Sequence, residues 1–326
     1  MATGLGPADS PVIDLGPVAT VVVETPLESA EHWLARHRTW LREAVTEHGA
    51  LLVRGLGLDG RAAVAAGVGA LVDAPFVERE GFAHREVYGP GVYSSAEWAD
   101  YLPMCMHHEV SYARNFPGLM MFGCLAAGES GGEIEVADAA AIAQALPADL
   151  VAGFRSAGWQ LTRNYYPESG LSWQDAFGTA DRAGVEAHCA AGGLTWEWGP
   201  EGELKTRQRQ SALLTHPRTG RTAWFNQIAF LSRWTLDPAI REYLLDEYGD
   251  DGLPFDTAYG DGRPLDAETV SLINATYEAH ARTVQWGAGD LLVVDNMSTA
   301  HSRRPFTGHR EVVVAMGDPA DRAECH

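Results

Sequence analysis

The segment CMHHEVSY, residues 105 to 112, sets two adjacent histidines and a glutamate among apolar and aromatic neighbours. On a strand, residues two apart share a face, so His107 and Glu109 are expected to project together while His108 points away. Such a close pair is two thirds of a facial triad of two histidines and one carboxylate. A triad needs one more histidine from a distant segment and leaves coordination positions open for a cosubstrate and O2. Alone, the pair more often marks a surface strand edge or a neutral histidine hydrogen-bonded in a core.

The segment DLLVVDNMSTAHSRRPFTGHREVVVAMGD, residues 290 to 318, supplies what the pair lacks. His301 lies just beyond an apolar strand and Arg310 opens the next one. Pro305, Thr307 and Gly308 between them are turn formers that let the chain double back, so both side chains can face one interior. A dicarboxylate that chelates a metal through its 2-oxo acid end leaves a distal carboxylate to neutralise, and a planar guanidinium does this bidentately. Arg310 is expected in that role, with Arg303 and Arg304 as solvated residues beside it.

Two motifs point to other chemistry. GESGG, residues 128 to 132, matches the G-x-S-x-G elbow of serine hydrolases, with Ser130 as nucleophile. An elbow requires a helix directly after the serine, and EIEVAD alternates like a strand instead. HHEVSY approaches the zinc-peptidase motif H-E-x-x-H but carries Tyr112 where the second histidine belongs. A cupin-like metal protein that binds or isomerises a small molecule without O2 is the remaining alternative, and Arg310 argues against it.

The elements that must position these residues are mostly short strands. An amphipathic helix is predicted from Ser29 to Gly49, on the spacing of Trp33, Leu34, His37, Trp40, Leu41, Ala44 and Val45, followed by a strand at 50 to 56 and a second helix at 59 to 73. Strands are then predicted at 119 to 126, 133 to 137, 159 to 166, 194 to 199, 221 to 226, 290 to 296 and 310 to 316. Helices interrupt them at about 139 to 157, 179 to 191, 236 to 247 and 266 to 282, too irregularly for a βαβ repeat. Many short strands point to a barrel or jelly roll. The chain is divided into an extended N-terminal arm, 1–16, and a single domain, 17–326, that includes its helical insertions.

Composition bounds the partners. The 326 residues are 46% hydrophobic and 21% charged, ordinary for a globular chain, and the formal net charge of −20 repels phosphate backbones and anionic lipid. Nucleic acid and membrane are therefore excluded as expected partners. Four widely spaced cysteines form no disulfide framework, and neither a signal segment nor a membrane span is evident, which places the protein in the cytoplasm.

Taken together, these motifs resemble the TauD/TfdA branch of the 2-oxoglutarate oxygenases, and most of all its SyrP-like members from natural-product pathways. The resemblance rests on His107 to Tyr112, the apolar stretch Pro117 to Cys124, Gly131 to Glu133 with Ala137 and Asp138, and the run from Asp295 to Arg310, and in kind it extends from about residue 45 to 317. It implies a β-rich α+β chain with a double-stranded β-helix (jelly-roll) core, iron(II) on His107, Glu109 and His301, and 2-oxoglutarate paired with Arg310, with O2 as second cosubstrate. It also implies oxidation, by default hydroxylation, of a C–H bond in an amino acid or amino-acid-derived small molecule. The acidic chain favours a free substrate over one tethered to an acidic carrier protein. Relatives often carry Thr directly after the G-G-E turn, where its hydroxyl helps to hold 2-oxoglutarate; Ile134 stands there in this chain. Asn226 in WFNQ, Arg163 in LTRNYY and Arg85, with Ser94 beside it, are further candidates for contact with substrate.

Overall fold

Strands apolar on both faces, such as LLVVD at Leu291–Asp295, need cover on both faces, and the computed structural model provides two cores for one sheet. It describes residues 11–24, 28–166 and 170–325. The eight-stranded sheet runs in the order Ile13–Asp14, Ala19–Val22, Ala50–Arg54, Leu291–Asp295, Asn115–Ala127, Arg310–Asp321, Val92–Ser94 and Val87–Gly89. Along its strands Val313, Ala315, Met121 and Val293 enter one core while Val312, Val314, Phe122 and Val294 enter the other, the period of two that a pleated strand imposes.

The first of these cores lies under the helices Ala30–His48 and Arg61–Leu71. Ser29 caps the longer helix by accepting from the His32 N–H, and Gly49 ends it at φ 78°, a backbone conformation that favours glycine. The second core is shared with a four-stranded sheet in the order Arg282–Thr283, Ile134–Asp138, Thr299–Arg303 and Met104–His107. These two sheets face each other as a jelly roll. A third sheet, Thr195–Trp198, Leu204–Gln210, Trp159–Tyr165 and Phe255–Tyr259, belongs to the inserted region.

Most predicted elements form close to their predicted bounds, with instructive differences. The helix expected over 139 to 157 is two helices, Ala139–Ala145 and Ala148–Ala157, because Pro147 cannot continue the first. Leu204–Gln210 escaped prediction because its inward residues include Thr206 and Gln208, so the alternation is polar throughout. The polar run around His301 is a fully buried strand, Thr299–Arg303. Of the N-terminal arm expected over residues 1–16, residues 1–10 lie outside the described residues, and Ile13–Asp14 already pairs with the edge of the large sheet. Among the described residues, no helix is long and apolar enough to cross a membrane.

Candidate metal centre

His107 ends the strand Met104–His107 and is the register partner of His301 on the neighbouring strand Thr299–Arg303. Their rings lie 4.4 Å apart between centroids. Glu109 joins them by a route the sequence did not indicate. The strand stops at His107, and Glu109 sits in the following turn rather than two residues along a strand. That turn is tight enough to place Val110 at φ 54°, a strained conformation for a β-branched residue. His108 does point away, with Nδ1 2.6 Å from the Asn296 carbonyl.

The candidate ligand atoms of His107, Glu109 and His301 all lie within 4.8 Å of one another, and all three residues are buried. Glu109 Oε2 is 3.7 Å from His107 Nε2 and 3.6 Å from His301 Nε2. His107 Nδ1 lies 2.8 Å from the Cys105 carbonyl, which directs an N–H there and turns Nε2 toward the site. Burial, helped by the nearby His107, pushes His301 down to about 4, so its ring is neutral. For Glu109, burial would raise the carboxyl, but the Arg85 guanidinium and the two imidazoles outweigh it and hold the group well below the usual range. Two imidazoles and one carboxylate, converging in a buried pocket, fit a divalent first-row metal and leave part of its coordination sphere for other ligands.

The same cavity is lined by Arg310, Arg303, Ile134, Ser95 and Ser302. Arg310 Nε donates to the Gly132 carbonyl, and a Cβ on Gly132 (φ 77°) would come within 2.9 Å of Arg310 Cδ, so the glycine is what lets the arginine lie there. Among the described residues Arg310 has no carboxylate partner. Burial, with Arg303 adding to it, lowers it to about 10. Arg303 was expected in solvent but is buried, donating to the Ala99 and Leu102 carbonyls; Arg304 is the exposed one and pairs with Glu135. Two cations facing one cavity, Arg303 buried and Arg310 half-buried, without an acidic partner among the described residues, fit a dianionic ligand such as 2-oxoglutarate. Ile134 lines this space without a hydroxyl, and the hydroxyls that do line it are those of Ser95 and Ser302.

The remaining candidates separate. Arg85 lies in the cavity between two carboxylates, Nη2 3.4 Å from Glu109 Oε1 and Nε 3.5 Å from Glu78 Oε2, and it also donates to the Ser94 carbonyl. Arg163 is buried and donates to the Glu80 and Gly81 carbonyls, propping the segment that carries Glu78 and Phe82. Asn226 spends its amide on the Ala212 carbonyl and the Ile228 N–H, a core role, whereas its neighbour Gln227 lines the adjoining space. Ser130 is exposed, hydrogen-bonded to Thr307, and followed by a strand, so no elbow forms. Tyr112 donates to the Glu80 carbonyl. Sequence reasoning missed Asn296, although the Asp-Asn pair beside the buried strand was in view. Its side chain holds the Glu109 turn, and the chain-neighbouring Asp295 pairs with His216.

A histidine–carboxylate–histidine set inside a jelly roll, with unpaired arginines at its floor, is the arrangement of the non-haem oxygenases that take a 2-oxo acid cosubstrate. A family model described as "Taurine catabolism dioxygenase TauD, TfdA family" matches residues 12–316. The dapdiamide synthesis protein DdaC of Enterobacter agglomerans is 32% identical over 302 residues, covering 93% of this chain and 91% of that protein. A clavaminate synthase-like protein of Arabidopsis thaliana is 27% identical over 221 residues, 64% of this chain and 63% of its own length. Among solved structures, a taurine dioxygenase from Burkholderia xenovorans shares the fold at TM-score 0.51 and 18% identity, covering 96% of this chain and 93% of that one. PvcB, titled an Fe, alpha-ketoglutarate dependent oxygenase from an isonitrile synthetic pathway, does so at TM-score 0.54 and 15% identity, covering 97% and 94%. The chain belongs to the TauD/TfdA family of iron(II)- and 2-oxoglutarate-dependent dioxygenases.

Proposed function

We propose that this dioxygenase oxidises, by default hydroxylates, a C–H bond of an amino acid or amino-acid-derived small molecule in natural-product biosynthesis, acting in the cytoplasm as one domain over residues 17–326. His107, Glu109 and His301 hold the iron, and Arg310 takes the distal carboxylate of 2-oxoglutarate. The observation that carries the assignment is Arg310, a half-buried cation without an acidic partner among the described residues, in the cavity that the three ligand side chains line. The substrate class is supported by the relatives' names, one a dapdiamide synthesis protein and one an oxygenase from an isonitrile pathway. A free substrate is preferred to a carrier-bound one, because the −20 charge of the chain opposes an acidic carrier.

Iron with 2-oxoglutarate and O2 supplies the oxidising power, and the protein orients, neutralises and excludes water. His107 is locked in one tautomer by the Cys105 carbonyl. Glu109 fills the position that a halide-transferring site would leave open, which favours hydroxylation over halogenation. Phe122, Val312 and Val314 from the large sheet wall the cavity with apolar surface and shield the reacting atoms from bulk water.

Anaerobic addition of iron(II) and 2-oxoglutarate is expected to produce a visible charge-transfer band, and admission of air to yield succinate. A protein that binds neither sinks the assignment. Ser130→Ala is expected to leave 2-oxoglutarate turnover intact; a hydrolytic activity lost with Ser130 would revive the hydrolase alternative.

A further inference from the structure

Next to the metal cavity is a second chamber that shares Arg85, Met104, His107 and Glu109 with it. Its far side is formed by Glu78, Gln227 and three rings in mutual contact. Phe82 and Phe230 lie 5.5 Å apart, Trp98 and Phe230 5.7 Å, and Phe82 and Trp98 6.4 Å between centroids. The rings supply aromatic surface, with Phe230 stacked on His107 and the Arg163 guanidinium over Phe82, and the polar groups among them are mostly acceptors.

Gln227 donates through Nε2 to the His108 carbonyl at 2.7 Å, which leaves Oε1 as the free end of the amide. That oxygen is buried, as is the whole residue, and has no partner among the described residues. A buried acceptor without a donor is costly unless a ligand completes it. The Glu78 carboxylate is nine-tenths buried, and its one ionic contact among the described residues is Arg85 at 3.5 Å, a guanidinium shared with Glu109. Arg85 is thus divided between two carboxylates, and the Glu78 carboxylate keeps acceptor capacity that this one guanidinium does not fill.

We propose that the chamber between Glu78, Gln227 and the rings of Phe82, Trp98 and Phe230 receives a protonated primary amine of the substrate. The ammonium donates to the Glu78 carboxylate and to Gln227 Oε1, and the π-faces complete its shell as they do for other desolvated cations. The enzyme therefore selects a free amine over its amide at this point. An acylated nitrogen has lost the charge and all but one donor, and it would leave at least one of the two acceptors unpaired. This inference rests on the oxygenase reading of the site, because it places the amine beside the reacting centre.

The test uses the anaerobic complex of the full chain with iron(II) and 2-oxoglutarate. The probes are the proteinogenic L-amino acids and their carboxamides, each compared with its N-acetyl partner, and the readout is the shift of the charge-transfer band as each is titrated. At least one free amine is expected to shift the band at a concentration tenfold or more below its N-acetyl partner. Glu78→Gln is expected to reduce that preference at least tenfold, whereas a mere counterion of Arg85 would leave the ratio unchanged. The wild-type comparison needs no variant, so a substitution that misfolds leaves the test intact. Equal response to amine and amide, or no response to any free amine while the band itself forms, overturns the ammonium site alone. Failure of the band to form in the wild-type chain overturns the oxygenase reading and this inference with it.

Discussion

Asn296 grips the backbone of Glu109 from both sides: its Oδ1 accepts from the Glu109 N–H at 2.9 Å and its Nδ2 donates to the Glu109 carbonyl at 2.9 Å. The same Nδ2 donates to the Pro117 carbonyl at 2.8 Å. The carboxylate of the triad is thus placed by an amide in the turn that follows the strand Leu291–Asp295, and that turn leads directly into the strand bearing His301.

Replacing Asn296 with Ala removes three buried hydrogen bonds and is expected to destabilise the fold by about 3 kcal/mol or more. Metal affinity should fall by about 10- to 100-fold, as for other groups that orient a ligand. Asn296→Asp keeps the acceptor but sets an oxygen against two carbonyls, so it should not rescue. Chelator competition with a divalent metal, alongside thermal melts, checks both; an unchanged metal affinity in Asn296→Ala would remove the asparagine from this role.

The two adjacent histidines should separate cleanly. His301→Ala is expected to abolish metal binding with a modest change in the metal-free melt. His108→Ala is expected to retain metal binding but to lose roughly 1–3 kcal/mol of stability, because it vacates a fully buried ring and strands the Asn296 carbonyl. Metal titration of both variants decides this, and His108→Ala failing to bind while still folded would contradict it.

Arg310→Leu is expected to raise the 2-oxoglutarate concentration needed for half-saturation by on the order of a hundredfold or more, with metal affinity kept. Since the half-buried guanidinium has no carboxylate partner among the described residues, its loss should not lower the melting temperature of the ligand-free chain. The added stability that 2-oxoglutarate gives the wild type should disappear. A large drop in the ligand-free melt would make Arg310 a structural residue instead.

Glu78 gives a pH signature with a definite sign. Burial is the main cause that raises its carboxyl to about 7, against the pull of Arg85, with Glu109 adding to the rise. A raised value means that the folded chain holds the proton more tightly than the unfolded one. This contribution is present in full below about pH 4.5 and is lost as pH climbs through 7. Relative to Glu78→Gln, the ligand-free wild type should lose on the order of 3 kcal/mol between those limits. Paired melts at pH 5 and pH 8 measure it; parallel behaviour of the two proteins would show a carboxylate ionised throughout.

Much of this was legible in the residues. LLVVD and REVVVAM are apolar enough to announce buried strands, and Ser29 and Gly49 mark the ends of a helix whether or not its packing is known. His107, Glu109 and His301 are brought together as their chemistry required, but the strand phase that seemed to pair His107 with Glu109 is in fact a turn. The deeper reason is that a tertiary clamp, Asn296, decides where Glu109 points, and local spacing carries no trace of it. Arg303 escaped for a related reason. Its partners are the Ala99 and Leu102 carbonyls, and backbone acceptors have no sequence signature. Arg85, Arg163 and Asn226 looked alike as polar residues near the motif, and only packing sorts them into a cavity wall, a prop and a core amide.

The cross-strand pairing of His107 with His301 has a consequence for how the molecule is made. The two rings become neighbours only when a late segment of the chain slots between Met104–His107 and Ile134–Asp138, so most of the polypeptide must be synthesised and the small sheet assembled before the ligands meet. Metal capture is thereby tied to completion of the fold. An unfinished or truncated chain offers iron only scattered, weak sites, and a redox-active ion enters only once the apolar walls that confine its reactivity are standing around it.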